Sequence, residues 1–227
     1  MKGNKMNKRL IILGLLIVFV AIIGKLLFVA CKNIKVDEFH KAAIIFAVDS
    51  SASNQKNLPE QIKYLKSLCS ILDPEDEIKI LKVSENSYLI YEGSPSNSKG
   101  ITKAVEAFTQ YNSKDYGTAY GEAIKKAFDH CLTMKKEGYV PAVVVIGDLE
   151  NEGTADKQIN WDTLPENVKK VQEYIPEISM MFVYAHPEKL DMVKTKLNPV
   201  LGEKKLIVAN ETNVDKANRK FLEAIGR

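Results

Sequence analysis

Residues 42–53 read AAIIFAVDSSAS, and this stretch decides the fold. The apolar run over residues 42–48 has no polar interruption and stops at Asp49. A short apolar run bounded by polar residues is typical of a strand that is buried on both faces. Such strands belong to parallel sheets covered by helices on both sides. Polar residues directly after one therefore lie at the carboxyl edge of the sheet, where open α/β folds bind their ligands.

The rest of the chain alternates between strand and helix patterns. Apolar residues at three-and-four spacing predict helices over residues 58–72, 101–111, 118–136, 164–174, 187–197 and 214–225. Short β-type runs predict strands over residues 42–48, 76–83, 87–91, 142–146, 179–184 and 205–208. The gap between the second and third strands is too short for a crossover, so these two should pair antiparallel. The pattern predicts an α/β fold: a doubly wound, mostly parallel, Rossmann-like sheet with one antiparallel strand.

Positive charge is concentrated at the N-terminus. The 227 residues have a formal net charge of +3, but five of the 32 basic residues precede Cys31. The remaining residues comprise 27 basic and 29 acidic side chains. A nearly neutral, slightly acidic domain lacks the basic surface that nucleic-acid binding requires, so that class of function is excluded.

The N-terminal segment has the composition of a membrane anchor. Residues 10–30 are apolar except for Lys25 and two glycines, and about twenty such residues span the hydrocarbon core of a bilayer. The basic stretch 1–9 should remain in the cytoplasm. The prediction is a single-pass transmembrane helix over 10–30, a linker over 31–41 and one extracytoplasmic domain over 42–227.

Two alternatives remain open for this segment. Residues 28–31 read FVAC, which resembles a bacterial lipobox and would make the protein a lipoprotein anchored at Cys31, although Phe28 is unusual at the first position. The other alternative is a cleaved secretory signal, which requires small residues before the cut.

Polar residues suited to a cation collect at the predicted carboxyl edge of the sheet. Asp49, Ser51 and Ser53 follow the first strand at alternating positions, which aims three side chains the same way if the backbone is extended. Thr118 opens a long helix, and Asp148 follows the strand over 142–146. All five side chains offer oxygen, which suits Mg²⁺, Mn²⁺ or Ca²⁺ and argues against zinc.

These five residues, in this order, resemble the metal-ion-dependent adhesion site of von Willebrand factor A-type domains. The resemblance covers about residues 40–227. It implies that Ser51, Ser53 and sometimes Thr118 contact the metal directly, whereas Asp49 and Asp148 act mostly through water. A Glu or Asp of a partner protein would take the open coordination position.

The chain departs from the usual pattern of that family at two places. Ala52 stands where glycine is common, and Gly147-Asp148-Leu149 replaces the more usual Thr-Asp-Gly. Neither change removes a ligand oxygen, so the departures concern the shape of the loops and the affinity of the site.

Two residues beyond the metal set are candidates for partner contact. Glu150 follows Asp148 closely and extends the acidic rim, with a solvated loop as the alternative. Trp161 is the sole tryptophan and lies in a long loop; it contacts either a partner, as exposed tryptophans often do, or its own domain.

No catalytic machinery is evident, so the chain is not expected to be an enzyme. Its three histidines are scattered, and none has a Ser or Cys nucleophile at a readable spacing. Cys69 and Cys131 lie among apolar residues without a CxxC motif and are expected to be buried free thiols.

The sequence therefore favours a divalent-cation-dependent protein-binding module, displayed at the extracytoplasmic membrane surface of a bacterial cell and acting on no small-molecule substrate. The alternative is a structural or chaperone-like subunit of a membrane-associated complex that uses the same domain for assembly.

Overall fold

A computed structural model describes residues 40–109, 117–210 and 212–227. The predicted membrane segment over 10–30 and Cys31 lie outside the described residues. Within the described part of the chain, no helix has both the length and the apolar character needed to cross a bilayer.

In the part of the chain that the structure describes, six strands form one sheet and six helices cover it. The strands are β1 (Ala42–Asp49), β2 (Glu77–Val83), β3 (Ser87–Gly93), β4 (Val140–Ile146), β5 (Ser179–Val183) and β6 (Leu206–Ala209). The helices are α1 (Leu58–Ser70), α2 (Ser98–Thr109), α3 (Tyr120–Lys136), α4 (Leu164–Tyr174), α5 (Pro187–Leu201) and α6 (Val214–Ala224). The strand order is β3-β2-β1-β4-β5-β6.

Strand β1 occupies the centre of the sheet. It pairs in parallel with β2 on one side and β4 on the other, and all eight of its residues are buried. Its alternate residues Ile45 and Ala47 pack on one face, while Ile44 and Phe46 pack on the other. Because both faces are dry, no position before Asp49 could be polar, which explains the uninterrupted apolar run.

Strand β3 is the single antiparallel strand among the described residues, and it forms one edge of the sheet. It pairs with β2, with a register shift between Ile80 and Leu81. The predicted mixed sheet with one antiparallel strand is therefore confirmed.

Three helices cover each face of the sheet. Helices α3, α4 and α5 pack on one face, where Phe128 and Val168 join the core. Helices α1, α2 and α6 pack on the other, where Leu65 and Phe221 do the same. The doubly wound arrangement leaves the loops after the strands free to carry polar side chains.

The largest differences from the predicted helix boundaries occur at two helices. Helix α2 begins at Ser98, earlier than residue 101, because Asn97 Oδ1 accepts the Gly100 N–H at 3.0 Å and so caps the helix. Helix α5 continues to Leu201 through Pro199 and stops where Gly202 adopts a φ of +74°. Pro199 lies in the last turn, where its missing N–H removes only one hydrogen bond near the end of the helix.

The predicted buried thiols are confirmed. Cys69 and Cys131 are both free and buried. Burial raises the pKa of Cys69 to about 12 and raises the pKa of Cys131 still further. Both act as small hydrophobic side chains.

Candidate metal site

The candidate site lies at the carboxyl ends of β1 and β4. These strands are parallel neighbours, and Val48 is in register with Ile146. The next residues along each strand, Asp49 and Gly147, therefore emerge side by side. The parallel pairing brings together two segments separated by almost one hundred positions in the sequence.

Asp49 is fully buried, and two donors hold its carboxylate. Oδ1 accepts the Ser51 N–H at 2.8 Å, and Oδ2 accepts the phenol proton of Tyr120 at 2.8 Å. The carboxylate thus has a defined orientation at the end of the strand.

Among the described residues, no basic side chain forms an ion pair with Asp49. Burial raises the pKa of Asp49 to about 7, and the nearby charge of Asp148 adds to this rise, while the Ser51 N–H opposes it. A carboxylate without a cationic partner in a buried position is costly. A divalent cation at this edge would offset that cost.

Ser51 and Ser53 place two hydroxyls together above Asp49. Their Oγ atoms lie 3.1 Å apart, as the alternation of residues at i and i+2 predicts. Ser51 is fully buried, whereas Ser53 is exposed at the mouth of the site. Ser53 Oγ also donates a hydrogen bond to Glu152 Oε2 at 3.0 Å.

A buried amide pair fixes the loop that carries these serines. Asn54 Nδ2 donates to the Asp49 carbonyl at 3.0 Å and to Gln61 Oε1 at 2.7 Å. Gln61 Nε2 donates back to Asn54 Oδ1 at 3.0 Å. Both residues are fully buried, so the pair ties the loop after β1 to helix α1. Sequence reasoning missed it, although a glutamine on the apolar face of a helix was an available signal.

Thr118 brings the third hydroxyl, and its oxygen is orphaned. The residue is fully buried, and its N–H donates to the Glu152 carbonyl at 2.7 Å. Its Oγ1 has no hydrogen-bond partner among the described residues. An unsatisfied buried hydroxyl costs about 1–3 kcal/mol. Coordination of a cation by this oxygen would remove that cost, so the side chain fits a metal ligand.

Tyr120 is a second residue that sequence reasoning missed. The helical periodicity identified it only as a core residue, but its phenol lies at the carboxyl ends of β1 and β4, against Asp49 and Gly147. Besides donating to Asp49, Tyr120 Oη accepts the Leu149 N–H at 3.2 Å. A buried tyrosine usually requires a partner for its hydroxyl, which was the available signal.

Gly147 makes room for this phenol. A Cβ on Gly147 would lie 2.0 Å from Tyr120 Oη and 2.5 Å from Asp49 Cβ. Leu149, two residues later, adopts a φ of +63°, an unusual backbone for a leucine. The Gly147-Asp148-Leu149 departure noted in the sequence therefore has a structural counterpart, since a side chain at 147 and this phenol exclude each other.

Asp148 is close enough to Asp49 for its negative charge to raise the pKa of the Asp49 carboxyl. Asp148 is itself buried. Its Oδ1 accepts the Glu150 N–H at 2.8 Å, which shapes the turn after β4. The Glu150 carboxylate forms an ion pair with Lys189 at 3.1 Å. Trp161 is half-buried and packs against the core under α3, α4 and α5.

The residues present suit a hard cation held largely by hydroxyls and water. Among the residues that the structure describes, no three His, Cys, Asp or Glu side chains are grouped closely enough to hold a metal by themselves. Two buried carboxylates supply charge, and Ser51, Ser53 and Thr118 supply neutral oxygens. Mg²⁺ commonly keeps several waters and takes few protein carboxylates, which agrees with this composition.

The chain is similar in sequence and in fold to von Willebrand factor type A domains. Residues 44–151 match the family model of the von Willebrand factor type A domain. No curated protein sequence matches the chain. Among solved structures, the chain resembles a von Willebrand factor type A protein from Catenulispora acidiphila, with 12% identity and a TM-score of 0.57 over 82% of this chain and 43% of that one.

Two further structures share the fold. One is an aerotolerance-related membrane protein from Bacteroides fragilis, with 15% identity and a TM-score of 0.56 over 81% of this chain and 98% of that one. The other is proximal thread matrix protein 1 from the mussel byssus, whose metal-ion-dependent adhesion site holds zinc, with 12% identity and a TM-score of 0.54 over 82% of this chain and 48% of that one.

The chain spans less than half the length of the Catenulispora and mussel proteins. At these identities the structural likeness concerns the fold alone, and it agrees with the family match over the first four strands. Residues 44–151 of this chain therefore match the von Willebrand factor type A domain, and the described residues have the fold of such domains.

Proposed function

We propose that this domain binds one divalent cation at the carboxyl ends of β1 and β4 and uses it to hold an acidic side chain of a partner protein. The observation that carries the proposal is the orphaned, fully buried Thr118 hydroxyl, at the same edge as the Ser51–Ser53 hydroxyl pair. These oxygens share a rim with the carboxylates of Asp49 and Asp148.

The chain's own residues divide the work between charge and geometry. Asp49 and Asp148 offer two negative charges, which match one divalent ion. Ser51, Ser53 and Thr118 orient neutral oxygens and add no charge. A divalent cation held in this way would supply an electrophilic centre for a carboxylate. A partner's Glu or Asp is therefore the ligand class that the site favours.

Mg²⁺ is the proposed ion, with Mn²⁺ and Ca²⁺ as substitutes. Carboxylate, hydroxyl and water oxygens suit these hard ions. The zinc found in the mussel protein makes Zn²⁺ a necessary comparison. Because the proposed ligands include no thiolate or imidazole, we expect the site to prefer Mg²⁺ or Mn²⁺ over Zn²⁺ under matched conditions.

We propose binding without catalysis. Asp49, the most buried carboxylate of the site, is engaged by a tyrosine and a backbone amide. Among the described residues, neither Ser51 nor Ser53 hydrogen-bonds a histidine or lysine that could act as a base. A nucleophile needs such a base to be activated.

Display of the domain at the extracytoplasmic surface of the cell membrane is part of the proposal. The apolar residues 10–30 and the basic residues before them support a single-pass anchor with a cytoplasmic N-terminus; a lipid anchor at Cys31 is the alternative. The Bacteroides fragilis protein of the same fold is described as a membrane protein. Protease treatment of intact cells would degrade the domain if it is outside, and a protected domain would contradict this topology.

Titration calorimetry of the full-length protein in detergent tests the metal site. We expect one bound Mg²⁺ or Mn²⁺, with binding lost in Asp49→Ala and in the Ser51→Ala/Ser53→Ala double variant. The matched control is Ser94→Ala/Ser96→Ala, since these hydroxyls form a similar pair at 2.9 Å in the loop after β3. Equal metal binding by wild type and Asp49→Ala would refute the assignment.

A pull-down with and without a chelator tests the partner. Proteins that bind the wild type only when the metal is present, and that fail to bind the Ser51→Ala/Ser53→Ala variant, support the proposed recognition. Partners held equally well by that variant and in chelator favour a metal-independent assembly role.

A further inference from the structure

We propose that Glu152 is an intramolecular ligand, which occupies the coordination position that a partner's carboxylate would take. This inference rests on the proposed metal site and names its regulation. It is carried by the contact between Glu152 and the serine pair, and by the way the two neighbouring loops hold Glu152 in place.

Three side-chain oxygens lie close together at the mouth of the site. Ser51 Oγ lies 3.1 Å from Ser53 Oγ, and Ser53 Oγ lies 3.0 Å from Glu152 Oε2. Adjacent oxygens around an octahedral Mg²⁺ with bonds of about 2.1 Å are separated by about 3.0 Å. The hydrogen bond from Ser53 therefore holds the Glu152 carboxylate beside the serine pair, at a separation that two ligands of one ion can also have.

The backbone of Glu152 is hydrogen-bonded to the loop that carries Thr118. Its carbonyl accepts the Thr118 N–H at 2.7 Å. Gly117 and Gly153 lie against each other at this crossing, where a Cβ on either would be 3.4 Å from the Cα of the other, and Gly153 has a φ of +103° that favours glycine. Glu152, in the loop after β4, thus contacts Thr118 through its main chain and Ser53 through its side chain.

Glu150 and Glu152 differ in how their charges are balanced. Neighbouring Glu150 pairs with Lys189. Glu152, by contrast, forms no ion pair with any basic side chain in the described ranges. Its negative charge is directed to a serine hydroxyl at a rim that already carries Asp49 and Asp148. A cation at the serine pair would be the missing counter-charge.

The consequence is competition between two acids. Glu152 would complete the coordination of the ion when no partner is present. A partner's carboxylate must displace it, and the free energy of that displacement would weaken partner binding. Removal of the Glu152 charge should therefore weaken the binding of the metal and, at the same time, free the coordination position that Glu152 would occupy.

Mn²⁺ alone, added to the full-length protein in detergent, is the probe. The relaxation rate of bulk water protons rises with the number of waters on the bound ion, and calorimetry reports its affinity. We compare wild type with Glu152→Gln, which keeps the size of the side chain and can still accept from Ser53. Glu150→Gln is the matched control, because it removes the same charge from the same loop.

The expected result for Glu152→Gln is Mn²⁺ affinity about tenfold weaker, together with a higher water relaxivity per bound ion. Added acetate should lower the relaxivity of this variant and leave that of the wild type unchanged. Glu150→Gln should behave as wild type.

Equal affinity and relaxivity in Glu152→Gln and Glu150→Gln, with Mn²⁺ bound by both, would overturn the role of Glu152 while leaving the metal site in place. A wild type that binds no Mn²⁺ would instead overturn the proposed function, and this inference with it.

Discussion

The replacement of Gly147 by alanine tests the packing that joins β4 to β1. The added Cβ would lie 2.0 Å from Tyr120 Oη and 2.5 Å from Asp49 Cβ. Both neighbours are fully buried. Neither can move away without disturbing the hydrogen bond that connects them. The variant should therefore be destabilised well beyond the effect of a methyl group on an open loop.

Two costs contribute to the expected loss. Gly147 has a φ of +154°, a conformation that costs an alanine about 1–3 kcal/mol. Overpacking of the buried methyl adds about 1–3 kcal/mol. The free energy of unfolding should fall by roughly 2–6 kcal/mol. For a domain of this size each kcal/mol corresponds to about 2–4 °C in Tm.

Gly138→Ala is the control for the backbone cost. Gly138 also has a positive φ, +91°, but among the described residues nothing lies within 4 Å of an added Cβ. Urea unfolding followed by circular dichroism would compare the two variants in the full-length protein. Gly147→Ala should lose about 1–3 kcal/mol more than Gly138→Ala. Equal losses would refute the close packing of Tyr120 and Asp49 around position 147.

Two other predictions concern the body of the domain. Cys69 and Cys131 should resist alkylation at pH 8 in the native protein and react after denaturation, because burial raises both pKa values and excludes the reagent. Peptide mapping would identify the alkylated thiols. Rapid labelling of both in the native protein would contradict the prediction. Asp76→Ala should lower the free energy of unfolding by about 3–5 kcal/mol, because buried Asp76 accepts a hydrogen bond from the β1 backbone and pairs with Arg227. As a control, Asp191→Ala at an exposed ion pair should lower it by under about 1 kcal/mol. Similar losses for the two variants in urea unfolding would count against the reasoning.

The sheet was predictable because its physical demands are local. A strand covered on both faces must be apolar at every position, and residues 42–48 meet that demand in the sequence. The short gap after β2 likewise allowed only an antiparallel partner, and the structure has one.

The candidate site was only partly predictable. The carboxyl ends of buried strands pointed to Asp49 and Asp148, and the structure places them together. Their coordination of a metal stays a prediction. Tyr120 and Gln61 were not identified, because helical periodicity classifies both as residues of a buried face. The hydrogen bonds that give them a role reach other elements.

The amino-acid sequence by itself determined the secondary structure, the mixed sheet and the edge at which polar oxygens collect, since each depends on periodicity or on residues near in the chain. Only the tertiary structure decided which polar groups meet there. Glu152 reaches Ser53 across 99 positions, and the phenol of Tyr120 reaches Asp49 across 71. Such contacts depend on how loops from different strands cross one another, and no local pattern of residues records that crossing.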